Sequence, residues 1–202
     1  MRRDTFLLFC MFFILTAGCL GISQPYPDIT MYSIHLEREP SQSKEEGALA
    51  LKMKKVYVSP RFESKSLVYK TSNHVYETDY YNRFMIAPST MVTEQVSQWL
   101  ASSPKIRYLA DSRFAREVDY TLEGKVLELY GDFRNEGNPK AVLTVEMVLL
   151  DEKESPPKAI IQEIYNQEIL LNEASVSELI AALNQGFENI MQEFESDLGI
   201  IE

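Results

Sequence analysis

Cysteine and histidine, which carry much of protein chemistry near neutral pH, are almost missing here. Two of each stand among 202 residues: Cys10, Cys19, His35 and His74. The two histidines lie 39 positions apart in strand-like contexts (SIHLE and SNHVY), without the spacing of metal ligands. Glycine is sparse too, with eight residues and no cluster to cradle a phosphate. No G-x-S-x-G elbow and no H-E-x-x-H pair occurs. Positive charge is in deficit: the formal net charge is −10. Nucleic-acid affinity rests on Lys and Arg neutralising phosphates, so nucleic acid is not an expected partner. After the first twenty residues no apolar run approaches the ~18 residues needed to span a bilayer. The inventory gives no positive reason to expect an enzyme, and no cofactor is expected.

What the chain does have begins at its first residue. Arg2 and Arg3 form a basic head, Phe6 to Leu15 an apolar run, and Leu15-Thr16-Ala17-Gly18-Cys19 closes the segment. A short apolar run followed by small residues is a secretory signal rather than a permanent span. Small residues before a cysteine are the mark of lipoprotein processing. Residues 1–18 are therefore expected to leave, with Cys19 becoming an acylated N-terminus. Cys10 leaves with the signal, so no disulfide, thiol nucleophile or cysteine metal site is expected in what remains. Removing 18 of 202 residues leaves 184, enough for a core. The signal carries a net +1 from Arg2, Arg3 and Asp4, so the charge moves from −10 to about −11. With no polybasic patch, membrane attachment falls to the acyl chains, of which stable anchoring needs more than one.

Residues 19–29 read as the lipidated cysteine and a tether, in which Pro25 and Pro27 resist helix. Its nine to ten residues reach at most about 35 Å. From residue 30 to 202 the pattern is that of one domain. Strands are expected at Thr30–Leu36, Lys52–Ser59, Leu67–Thr71 and His74–Tyr81, the last two joined by a two-residue turn at Ser72-Asn73. Glu39 to Gly47 reads as a loop. Pro88 opens a helix to Ala101, with Val92, Val96, Trp99 and Leu100 on one stripe. Strands follow at Ile106–Leu109, Tyr120–Tyr130, Ala141–Leu150 and Ile160–Leu171. In Tyr120–Tyr130 the apolar phase shifts after Val126, which marks a bulge or a strand buried on both faces. Ser175-Val176-Ser177-Glu178 is a capping box opening a final amphipathic helix. The expected fold class is α+β: a mostly antiparallel sheet with two amphipathic helices on one face.

The densest chemical feature is an aromatic and basic hairpin. Tyr69, Tyr76, Tyr80, Tyr81 and Phe84 crowd into sixteen residues, with Lys70 and Arg83 among them. Tyrosine and arginine carry interfaces, and tyrosine also makes good strands. The run Ser66-Leu67-Val68-Tyr69-Lys70-Thr71-Ser72, then Val75-Tyr76, Tyr80-Tyr81-Asn82-Arg83-Phe84 and Ala87-Pro88, resembles the ABC-type transport auxiliary lipoproteins. These include the lipoprotein component of the paraquat-inducible intermembrane transport system. Lys70 stands where that family usually has Arg, and Phe84 where it usually has Trp. Asp119 to Val126 resembles the family's central strand, and the likeness runs from about residue 31 to 198.

The resemblance implies a non-enzymatic docking component, held in the outer membrane and facing the periplasm. Its partner would be an MCE-domain protein of an intermembrane lipid transport system. Leu20, rather than Asp, follows the cysteine, which agrees with an outer-membrane address. Tyr69, Lys70, Tyr76, Tyr81 and Arg83 are the candidate partner-binding residues, and Cys19 is the lipidation site. Self-association to a homo-oligomer would suit an anchored docking ring. The alternative is a carrier holding a lipid between sheet and helices, favoured if the final helix has apolar surface to spare.

Overall fold

The computed structural model describes residues 28–38, 49–110, 117–135 and 137–199. The signal segment, Cys19, the tether up to Pro27 and the Glu39–Gly47 loop lie outside them. In chain order the elements are β1 (Thr30–Tyr32), β2 (Leu49–Met53), β3 (Tyr57–Val58), β4 (Ser66–Lys70), β5 (Tyr76–Phe84), α1 (Pro88–Ala101), β6 (Ile106–Ala110), β7 (Tyr120–Asp132), β8 (Lys140–Asp151), β9 (Lys158–Leu170) and α2 (Val176–Leu198).

Strand β7 is the spine of a nine-stranded sheet. On one edge it pairs with β8 from Tyr120–Asp151 to Asp132–Lys140, and β8 pairs with β9 along its full length, both antiparallel. On the other edge three short strands follow one another, all parallel to β7. β2 lies beside Tyr120–Leu122, β3 beside Lys125–Val126, and β4 beside Gly131–Asp132. The expected strand Lys52–Ser59 is thus two pieces, parted at Lys54-Lys55-Val56. Pro60 ends the second, because proline has no N–H for the ladder. Outside these, β6 runs parallel to β2, β5 antiparallel to β4, and β1 parallel to β5.

The sheet is therefore mixed rather than simply antiparallel. Its longer ladders are antiparallel hairpins, and its short ones are parallel. Hairpins announce themselves through turn residues, whereas a parallel neighbour arrives by a crossover and leaves no local mark.

The phase shift in β7 is a bulge. The register slips between Val126 and Glu128, so Val126 faces Val145 and Leu129 faces Leu143. Val145 and Leu143 are two apart on one strand and share a face, so Val126 and Leu129 share it too. Both are buried.

The helices form where their apolar stripes are expected. In α1, Pro88 sits in the first turn and Val92, Val96, Trp99 and Leu100 are buried. No side chain at Ala87 caps this helix. The Glu63 carboxylate accepts from the Ser89 amide at 3.2 Å and the Ser89 hydroxyl at 2.6 Å instead. Thr93 Oγ1 accepts from the Val56 amide at 2.9 Å, tying α1 to the gap between β2 and β3. In α2, Ile190, Met191, Phe194 and Leu198 have no exposed surface. Gly186 faces β8 and β9, where a β-carbon would meet Gln167 and Leu143 at ordinary contact distances of 3.5 and 3.6 Å. Half of the capping box forms as expected, with the Ser175 hydroxyl accepting from the Glu178 amide at 3.2 Å. The Glu178 carboxylate, however, reaches past Ser175 and accepts from the amide and side chain of Asn172.

Candidate functional site

The β4–β5 hairpin closes with a wider loop than a two-residue turn. Lys70 faces Tyr76, and the Thr71 amide donates to the Val75 carbonyl at 3.1 Å. A two-residue hairpin turn needs positive φ, and no described residue has it. Ser72, Asn73 and His74 therefore share the reversal at ordinary dihedrals.

One face of the hairpin is a cationic aromatic stack. Phe62 and Tyr130 are buried and stacked, centroids 5.8 Å apart and planes at 18°. Tyr76 stands edge-on to both, at 6.5 Å from Phe62 and 5.6 Å from Tyr130. The Lys70 ammonium sits 5.4 Å from the Tyr76 ring and 5.7 Å from the Tyr130 ring. Burial, and secondarily the charge of Glu128, push the Tyr130 phenol up to about 12. Tyr76 remains 39% exposed, so the stack has a buried base and an accessible rim.

Tyr69 points the other way. Its ring packs on Phe133 with centroids 5.2 Å apart, and its hydroxyl donates to Asp79 Oδ2 at 2.8 Å. Burial, then that hydrogen bond, raise its phenol above the ordinary range. Asp79 also accepts from the amides of Tyr81 and Asn82 and from the Asn82 side chain, at 2.8, 3.0 and 2.8 Å. Burial pushes the Asp79 carboxyl up, but the hydrogen bonds from Asn82, Tyr69 and Tyr81 outweigh it and lower its pKa. The four bonds hold a bend in β5. Val68 faces Thr78 and Ser66 faces Arg83, so β5 spends five residues where β4 spends two.

The bend throws a second group outward. Tyr80 and Tyr81 are each 51% exposed, with rings 5.3 Å apart and nearly perpendicular. The Arg83 guanidinium lies 4.6 Å from the Tyr80 ring, and its Nε donates to the Tyr80 carbonyl at 2.8 Å. Met31, opposite Arg83 across the β1–β5 ladder, and Met85 are also exposed.

The five candidate residues thus fall into three places: Lys70 with Tyr76, Tyr81 with Arg83, and Tyr69 turned inward. Asp79 was not singled out in the sequence, although the Asx turn at Asp79-Tyr80-Tyr81-Asn82 was its available signal. Tyr130 comes from the remote strand β7 and had none, and Phe62, in the turn just ahead of β4, was not singled out either. His35 and His74 are exposed. Among the described residues no group of His, Cys, Asp or Glu could hold a metal ion, and no helix is long and apolar enough to cross a membrane. A mostly apolar groove of about 450 Å³ runs past Val56, Val58, Pro60 and Ser89.

The described residues form a mixed α+β body that displays an aromatic, cationic hairpin. The chain belongs to the family of ABC-type transport auxiliary lipoprotein components, which it matches over residues 32–194. The family is one of envelope lipoproteins that assist a transport system, which suggests a non-enzymatic role. No curated protein matches the chain. Among solved structures it is similar to protein XCC0632 from Xanthomonas campestris: 15% identity over 82% of this chain and 92% of that one, with a TM-score of 0.70. An uncharacterized protein gives 16% identity, 85% and 99% coverage and a TM-score of 0.67. The hypothetical protein CT253 from Chlamydia trachomatis gives 14%, 73% and 94%, and 0.51. At these identities the likeness concerns the fold alone.

Proposed function

We propose that this protein is a docking component of an MCE-type intermembrane lipid transport system. It is anchored through acylated Cys19 in the outer membrane and faces the periplasm. The family match over residues 32–194 carries the reading, and the resemblance of Ser66–Ser72 and Tyr80–Phe84 to the MCE-associated lipoproteins supports that branch. Helix α2 covers the face of the sheet that carries Leu143 and Gly131, with Gly186 beside Leu143 and Leu179 beside Gly131. The Lys70–Tyr76–Tyr130 stack then lies on the opposite face, where an accessible aromatic rim over a buried base suits a binding hot spot.

The sealed stripe of α2 favours docking over carriage. Phe187, Ile190, Met191 and Phe194 are at most 2% exposed, leaving no spare apolar surface there for an acyl chain. Crosslinking in envelope membranes tests the proposal. Wild type should capture an MCE-domain protein and Cys19→Ala should capture much less. Bound lipid without a transport partner would instead support the carrier.

A further inference from the structure

One patch is explained by neither the core nor the docking stack. Met31 is 60% exposed, Met85 54%, and Tyr80 and Tyr81 51% each. They are contiguous: Met31 faces Arg83, Arg83 covers Tyr80, Tyr80 touches Tyr81, and Met85 follows two residues after Arg83.

The position of this patch in the chain matters more than its composition. β1 runs parallel to β5 with Thr30 beside Asn82. The chain preceding Thr30 therefore enters the body at the end where Tyr80 and Tyr81 sit. From Cys19 to Thr30 that chain reaches at most about 40 Å when fully extended. Whatever Cys19 is buried in is held beside these tyrosines at high effective concentration, so even a weak contact is populated.

The chemistry fits a bilayer interface. Tyrosine rings favour the headgroup level, with an apolar body and a polar tip. Arg83 lies on Tyr80, and Lys65, whose ammonium donates to the Met85 carbonyl at 2.9 Å, places a second cation at the rim. The Asp79 carboxylate stays anionic inside the bend, but its oxygens are engaged by Tyr69, Tyr81 and Asn82 and not by the rim cations.

We propose that Met31, Tyr80, Tyr81 and Met85 form a membrane-contact surface that seats the folded body on the bilayer carrying its own lipid anchor. Arg83 and Lys65 face the lipid phosphates. This orientation turns the Tyr80–Tyr81 bend to the membrane and leaves Tyr76, five residues along β5, for a protein partner. The inference rests on the Cys19 anchor.

The test uses the full lipidated chain in vesicles of phosphatidylethanolamine and phosphatidylglycerol, some bearing brominated acyl chains. Tyr81→Trp is the probe. Ile164→Trp is the control, placed on β9, which is 60% exposed and four strands away, about 19 Å. The unaltered chain corrects for Trp99. Brominated lipid should remove most of the Tyr81→Trp emission and little of the Ile164→Trp emission. Equal quenching at the two positions, in protein that floats with the vesicles, overturns the seating surface and leaves the anchor intact. Wild type that fails to float, behaving like Cys19→Ala, overturns the anchor and the seating surface together.

Discussion

Asp79 shows how one side chain can set the shape of a surface. Its carboxylate satisfies two amides, a side-chain amide and a phenol, and so holds the bend that exposes Tyr80 and Tyr81. Asp79→Ala should cost about 1 kcal/mol in urea unfolding at neutral pH, since part-buried and exposed donors lose their acceptor. The folded pKa is depressed, so the carboxylate's contribution is complete above the ordinary value near ~4. It is lost as pH falls through the lower folded value. The stability gap between wild type and Asp79→Ala should therefore narrow on acidification below pH ~4, and a constant gap would contradict this account. Gly131 is a second pressure point. A β-carbon there would lie 3.1 Å from Leu179 and 3.2 Å from the Phe133 ring. Gly131→Ala should lower stability by about 1–3 kcal/mol through overpacking, read as a lower urea midpoint.

At the scale of elements, what could be read from the sequence was what the chain encodes within a few residues. Pro88 and the Val92–Val96–Trp99–Leu100 spacing gave α1, and Ser175 with the Leu179-to-Leu198 stripe gave α2. Ser175→Ala should cost about 1 kcal/mol, the usual value of a lost cap, measured by urea unfolding. The Glu178 half of the box was misread because Asn172 offers it two donors. The bulge in β7 was legible as one of two explanations for a broken alternation. The parallel ladders were not: Met53 pairs with Leu122 and Thr30 with Asn82 across long stretches of chain, with no turn to announce them. The hairpin turn was set one residue too tight, because Ser72-Asn73 cannot take a two-residue turn without positive φ.

For the whole molecule, composition narrowed the class and topology assembled the surfaces. Few histidines and cysteines and a net acidic chain pointed away from catalysis and nucleic acid before any fold was known. The candidate hairpin was visible as a crowd of tyrosines. Its division into an inward Tyr69, an accessible rim at Lys70 and Tyr76, and an outward bend at Tyr80 and Tyr81 was not. That division depends on Tyr130, which β7 brings beside β4, and on Phe62 in the turn ahead of β4. The most direct measurement of the central claim is a binding titration of the cognate MCE-domain protein onto the membrane-anchored wild type and Tyr76→Ala. The account predicts saturable binding that Tyr76→Ala weakens by about 2 kcal/mol, roughly 30-fold, in a protein that stays folded and loses about 1 kcal/mol of urea stability with its ring contacts. Absence of binding to well-folded wild type would contradict it.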